Sequence, residues 1–148
     1  LYFKNILVAL DGSDHAMKAL ELAAQLEDKF DSSLHILSVY RHYGHFESSH
    51  SLVRPREGML PPDDALKQIA REIVEMGCSR AKELGATGIK GVVKRGKPSR
   101  VILDYVKEHP VDCIIMGKRG IGDGGGGLLG SVSNRVATLA PCTCITVK

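Results

Sequence analysis

The chain has 148 residues, 43% hydrophobic and 25% charged, with a formal net charge of +3. That balance fits an ordinary globular protein with enough core for a single domain over residues 1–148, and it excludes a disordered or fibrous chain. The charge is too small to call for nucleic acid, no apolar run approaches a membrane span, and no signal peptide precedes the first strand, so the expected location is cytoplasmic.

Leu1-Tyr2-Phe3 resembles a protease-site remnant and is given no function. Residues 3–10 (F-K-N-I-L-V-A-L) form a nearly unbroken apolar run of strand length, as expected for a strand buried on both faces. Asp11-Gly12-Ser13 is a turn, with Ser13 as the N-cap of a helix over 14–29. Ala16, Leu20, Ala23 and Phe30 mark that helix's buried side. Residues 34–40 (L-H-I-L-S-V-Y) are a second strand, which His35 and Ser38 place nearer a sheet edge. Residues 41–62 are the longest irregular stretch, with His42, His45 and His50; stretches of this length are functional or disordered. A long helix over 63–84 follows, with Gly77 as a weak spot or close-packing point and Gly85 as its stop. A third strand covers 89–94, and Pro98 opens a helix running to 108. Residues 111–116 are the fourth strand, 131–139 a helix stopped by Pro141, and 143–147 the fifth strand.

Strict alternation of this kind means a parallel sheet with helices on both faces. Ligands of such sheets sit outside the carboxyl ends of the strands. Asp11, Tyr40 and Gly117 all follow strand ends, so one crevice could hold all three. The four cysteines lack zinc-like spacing. Cys113 and Cys142 read as buried strand residues, Cys78 lies in a helix, and Cys142 and Cys144 read as reduced thiols on one strand face.

The most informative stretch is C-I-I-M-G-K-R-G-I-G-D-G-G-G-G-L-L-G-S-V-S, residues 113–133. A strand stops at Gly117, seven glycines fall between Gly117 and Gly127, and Gly130-Ser131 leads into a helix. Unpaired N–H groups and the positive end of the helix dipole would face the loop, a cup that suits phosphate. The same glycines could be a flexible connector. No Lys-Ser/Thr pair follows the last glycine, so this is not a P-loop, and no G-x-G-x-x-G opens the loop.

A-L-D-G-S after the first strand, and G-x2-G-x9-G-S-V-S at Gly117, Gly120, Gly130 and Ser131, resemble the universal stress protein family in its ATP-binding branch. R-G-K-P-S before the third helix and A-P-C before the last strand extend the resemblance over the whole chain. The run of four glycines at 124–127 departs from the family's pattern and would loosen the loop. The resemblance implies a Rossmann-like, adenine nucleotide alpha hydrolase-like sheet of five parallel strands in the order 3-2-1-4-5. It implies ATP as ligand, with Mg2+ or Mn2+, and a homodimer through the C-terminal strand. It also implies residue roles. The main chain around Gly117 and Gly120 would face ribose and phosphate. Gly130 would allow the tight turn that brings Ser131 to phosphate, with Ser133 adding a hydroxyl. Asp11 would meet the ligand or its metal, or would only shape the turn. The backbone at Val39 would pair with the adenine edge, and Arg119 would neutralise phosphate or be solvated. Ala9, Met116 and Val132 would complete the cofactor site.

Three functional readings stay open. One is an ATP-binding regulator of a stress response, with its protein partner unknown. Another is a slow ATPase or a phosphate- or adenylate-transferring enzyme, with at most weak hydrolysis, since neither S-G-G-x-D-S nor H-I-G-H is present and no catalytic residue is assigned. The third is a metal-binding module on His42, His45 and His50, completed by a group such as Glu47.

Overall fold

The computed structural model describes residues 3–42, 62–119 and 129–148. Five strands alternate with four helices over these segments: β1 (Asn5–Ala9), α1 (Asp14–Phe30), β2 (Ser33–Tyr40), α2 (Pro62–Glu83), β3 (Ile89–Arg95), α3 (Pro98–Glu108), β4 (Cys113–Gly117), α4 (Ser131–Leu139) and β5 (Thr143–Val147). The strands form one parallel sheet in the order β3-β2-β1-β4-β5. β1 is central: Ile6 stands opposite Leu34 on one side and Cys113 on the other.

The apolar runs follow from this layering. Ile6, Leu7 and Val8 are wholly buried because both faces of β1 are covered. Ile6 and Val8 join Leu20, Leu34, Ile36 and Ile115 in the core under α1 and α2. Leu7 joins Leu37, Ile102, Tyr105, Ile114 and Val136 in the core under α3 and α4. Each such side chain contributes about 1.5–3 kcal/mol by leaving water. Gly77 is a close-packing point, since a Cβ there would meet Leu10 Cδ1 at 2.5 Å.

Some expectations change. β2 is not an edge strand, for it pairs with β1 and with β3. His35 and Ser38 are buried instead, and His35 Nδ1 lies 2.5 Å from the Tyr105 hydroxyl. Burial pushes the His35 imidazole down, with Lys90 and His109 acting in the same direction. Phe30 is 49% exposed and packs on Phe3, with ring centroids 5.4 Å apart, rather than entering the core. Cys142 is only half-buried and precedes β5. The four thiols are free. Burial, then neighbouring thiols and Asp112, hold Cys113 up at about 12 and Cys142 at about 11, so both are inert protonated thiols at neutral pH. No helix among the described residues is long and apolar enough to cross a membrane.

Candidate functional site

β1 lies between β2 and β4, so the carboxyl ends of these three strands open side by side. A cavity of about 270 Å³ sits there. Ala9 and Asp11 line it from the end of β1 and the turn after it, Val39 from β2, and Met116, Gly117 and Arg119 from the end of β4 and just beyond it. Ser131, Val132 and Ser133 line it from α4. These residues come from four places in the sequence and meet in one crevice. Gly130 is buried just before α4 and does not line the cavity. Gly120, the glycines at 124–127, His45, Glu47 and His50 lie outside the described residues. Leu10, Ser13, Ala16, Arg41, Pro98 and Ile102 also line the cavity, though sequence reasoning did not single them out for it. Tyr40, the strand end expected at the crevice, does not line the cavity, whereas its neighbours Val39 and Arg41 do, and that adjacency is the signal that could have found Arg41.

At the β2 end the backbone is the functional group. The Leu37 carbonyl accepts from Leu10 N–H at 2.8 Å, whereas the Tyr40 carbonyl accepts from Gly96 N–H at 2.9 Å on the β3 side. Backbone groups of a strand point alternately to its two neighbours, so Val39 faces the same side as Leu37. β1 has ended there, and Val39 presents one donor and one acceptor toward the space it vacates.

At the other end stands the N-terminus of α4. Its N-cap is Gly130, not Ser131, and no side chain caps the helix. The Asn134 N–H makes the first bond of the helix, to the Gly130 carbonyl at 2.9 Å. The N–H groups of Ser131, Val132 and Ser133 precede it and have no partner within the helix. No acidic residue occupies the first turn. Gly130 has φ −61° and ψ 158°, which any residue adopts, so the tight glycine-only turn expected at this position is absent. The Ser133 hydroxyl donates to the Gly117 carbonyl at 2.7 Å and so fastens α4 to β4. Its proton is already engaged there rather than offered to a ligand.

Close packing sets the floor of the crevice. A Cβ on Gly117 would lie 2.7 Å from the His15 carbonyl carbon and 2.8 Å from Ala16 N, so only glycine lets α1 approach β4 this closely. The Lys118 N–H donates to Val147 O at 2.6 Å, and the Lys118 carbonyl accepts from Gly130 N–H at 2.8 Å. Asp11 Oδ1 accepts from Ser13 N–H at 2.9 Å, shaping the turn into α1. Asp11 is also the one carboxylate among the described lining residues. Among the described residues no group of three or more His, Cys, Asp or Glu could hold a metal ion. His42 instead lies 2.7 Å from Asp63 Oδ2.

The model of the Universal stress protein family matches residues 2–148. Universal stress protein YxiE of Bacillus subtilis is 33% identical over 152 residues, covering 99% of each chain. Among solved structures, a universal stress protein in complex with cAMP superposes with a TM-score of 0.75 at 24% identity, over 100% of this chain and 99% of that one. The universal stress protein from Archaeoglobus fulgidus in complex with dAMP superposes with a TM-score of 0.68 at 23% identity, over the full length of both chains. The five-stranded sheet, its crevice and the match along nearly the whole chain agree: this chain belongs to the universal stress protein family.

Proposed function

We propose that the chain binds ATP in this crevice and acts as a nucleotide-dependent regulator in a stress response. The observation that carries the reading is the uncapped N-terminus of α4 at one end of a cavity whose other end offers the Val39 backbone. An adenine edge presents a ring-nitrogen acceptor beside an amino donor, the complement of one N–H and one C=O. Phosphates suit the three free N–H groups and the helix dipole, with Arg119 beside them. The aliphatic walls from Ala9, Ile102, Met116 and Val132 would exclude water from the base. The cAMP and dAMP bound by two structural neighbours carry the same base.

Mg2+ or Mn2+ would be held chiefly by phosphate oxygens, with Asp11 as the protein's carboxylate. When bound, the ion would neutralise phosphate charge. Turnover is the weaker reading. Asp11 is the only candidate general base among the described lining residues, and it already accepts a hydrogen bond from its own turn. β5 ends the sheet as a half-buried edge, and we take its cover to be β5 of a second copy.

The test is to denature the purified protein, identify released nucleotide by chromatography, and titrate the stripped protein with ATP in a calorimeter. ATP recovered from the protein, or binding by the stripped protein, supports the reading. No released nucleotide and no heat at millimolar ATP would end it. Sedimentation of the same sample should give two copies per particle, and a monomer at high concentration would refute the β5 pairing.

A further inference from the structure

His15 is the second residue of α1 and is not among the residues lining the cavity. It nevertheless touches the chain where β4 gives way to the glycine segment. Its backbone and Cβ lie against Gly117 closely enough to leave no room for a side chain there. Two residues further on, the Arg119 N–H donates to His15 Nδ1 at 3.3 Å. A ring nitrogen that accepts a hydrogen bond carries no proton, so this contact requires the neutral imidazole with its hydrogen on Nε2. Taking up a proton from solvent makes both ring nitrogens donors. The Arg119 N–H would then face an N–H, and the contact would be lost.

We infer that His15 is a positioning residue for the nucleotide site: its neutral imidazole holds the N–H of the peptide joining Lys118 to Arg119, whose carbonyl Gly130 holds from the other side, and its protonation removes one of these two bonds and weakens nucleotide binding. The inference rests on the nucleotide-binding reading. α1 packs on β4 and β5. The charged residues next to His15 in sequence, or in the segments that follow the strands packed on α1, are Asp11, Asp14, Lys18, Lys118, Arg119 and Lys148. They carry both signs, and the loss of an acceptor does not depend on their balance.

The experiment compares wild type, His15→Asn and His15→Phe by calorimetric titration with ATP between about pH 5.5 and 8. The amide oxygen of Asn can stand near the Nδ1 position, accepts the same N–H and does not titrate. His15→Asn should bind within about twofold of wild type at the upper pH and report only the titration of ATP itself. Wild type should lose a further two- to tenfold, roughly the worth of one hydrogen bond, as pH falls. His15→Phe should be weaker by that factor throughout and follow the Asn profile. Identical profiles for wild type and His15→Asn, or a relative gain for wild type at low pH, would overturn the inference. A second readout separates it from the nucleotide reading. In the ligand-free protein, the Arg119 amide resonance should move with pH in wild type and stay still in His15→Asn. If it is still in both, the pin does not exist, whatever the protein binds. If it moves but wild type binds no ATP, the pin stands as a main-chain contact and its effect on nucleotide affinity is refuted together with the binding reading.

Discussion

Two helices enter the crevice on nearly the same backbone. Ser13 before α1 has φ −75° and ψ 158°, and Gly130 before α4 has φ −61° and ψ 158°. Only the side chain differs. The Ser13 hydroxyl accepts from Ala16 N–H at 3.3 Å, and Asp14 puts a negative charge in the first turn of α1. α4 has neither device. One helix therefore has an acceptor and a negative charge at its first turn, while the other has neither among the described residues. In the proposed reading a helix terminus serves as an anion site by what the N-cap lacks, not by an unusual fold.

The strongest way to break this contrast is to give α4 what α1 has. Gly130→Asp supplies an acceptor and a negative charge at the N-cap on a backbone that already suits it. Helix stability should change by only a few tenths of a kcal/mol. ATP affinity should fall about a hundredfold, since hydrogen bonds to charged groups are worth about 1.5–3 kcal/mol and each 1.4 kcal/mol is tenfold. Calorimetric titration beside a thermal melt reads both quantities. A variant that binds ATP like the parent would mean that α4 is not the phosphate end.

Next in size is Gly117→Ala, which attacks the packing that brings the two helices to one crevice. Its Cβ would press on the His15 backbone, which cannot swing away as a side-chain tip could. The expected loss of stability is about 1–3 kcal/mol in chemical denaturation. An unchanged midpoint would show that α1 and β4 are free to separate. The smallest effect belongs to Ser13→Ala, which strips the cap from α1. It should cost about 1 kcal/mol of stability and leave ATP affinity within about twofold, the opposite pattern to Gly130→Asp. A large loss of affinity would show that Ser13 serves the ligand rather than its own helix.

The alternation of elements was legible because each signal is local. β1 and β4 are unbroken apolar runs, Ser13 and Pro98 open helices, and Gly85 follows the end of one. The strand order was not local, and it came from motifs shared with a family. β2 was misread as nearer an edge because the partner of His35 is Tyr105, 70 residues away in sequence. Gly130 stands at the N-cap of α4, but its φ shows that the glycine-only turn expected there is not needed. Arg41 and Pro98 carry no motif, and they reach the cavity only because β2 and α3 end beside it. His15 looked like any exposed residue of a first helical turn until Gly117 and Arg119 were seen to lie against it.

Lys118 joins two parts of the molecule through its backbone alone. Its N–H holds the last residue of β5 and its carbonyl holds the N-cap of α4. One peptide step thus serves as the common abutment of the sheet's outer strand and of the helix that faces the cavity. Because the links are main-chain, no substitution of the lysine other than proline removes a donor or acceptor from them. Any free energy passed between the sheet's edge and the crevice along this path is therefore reciprocal.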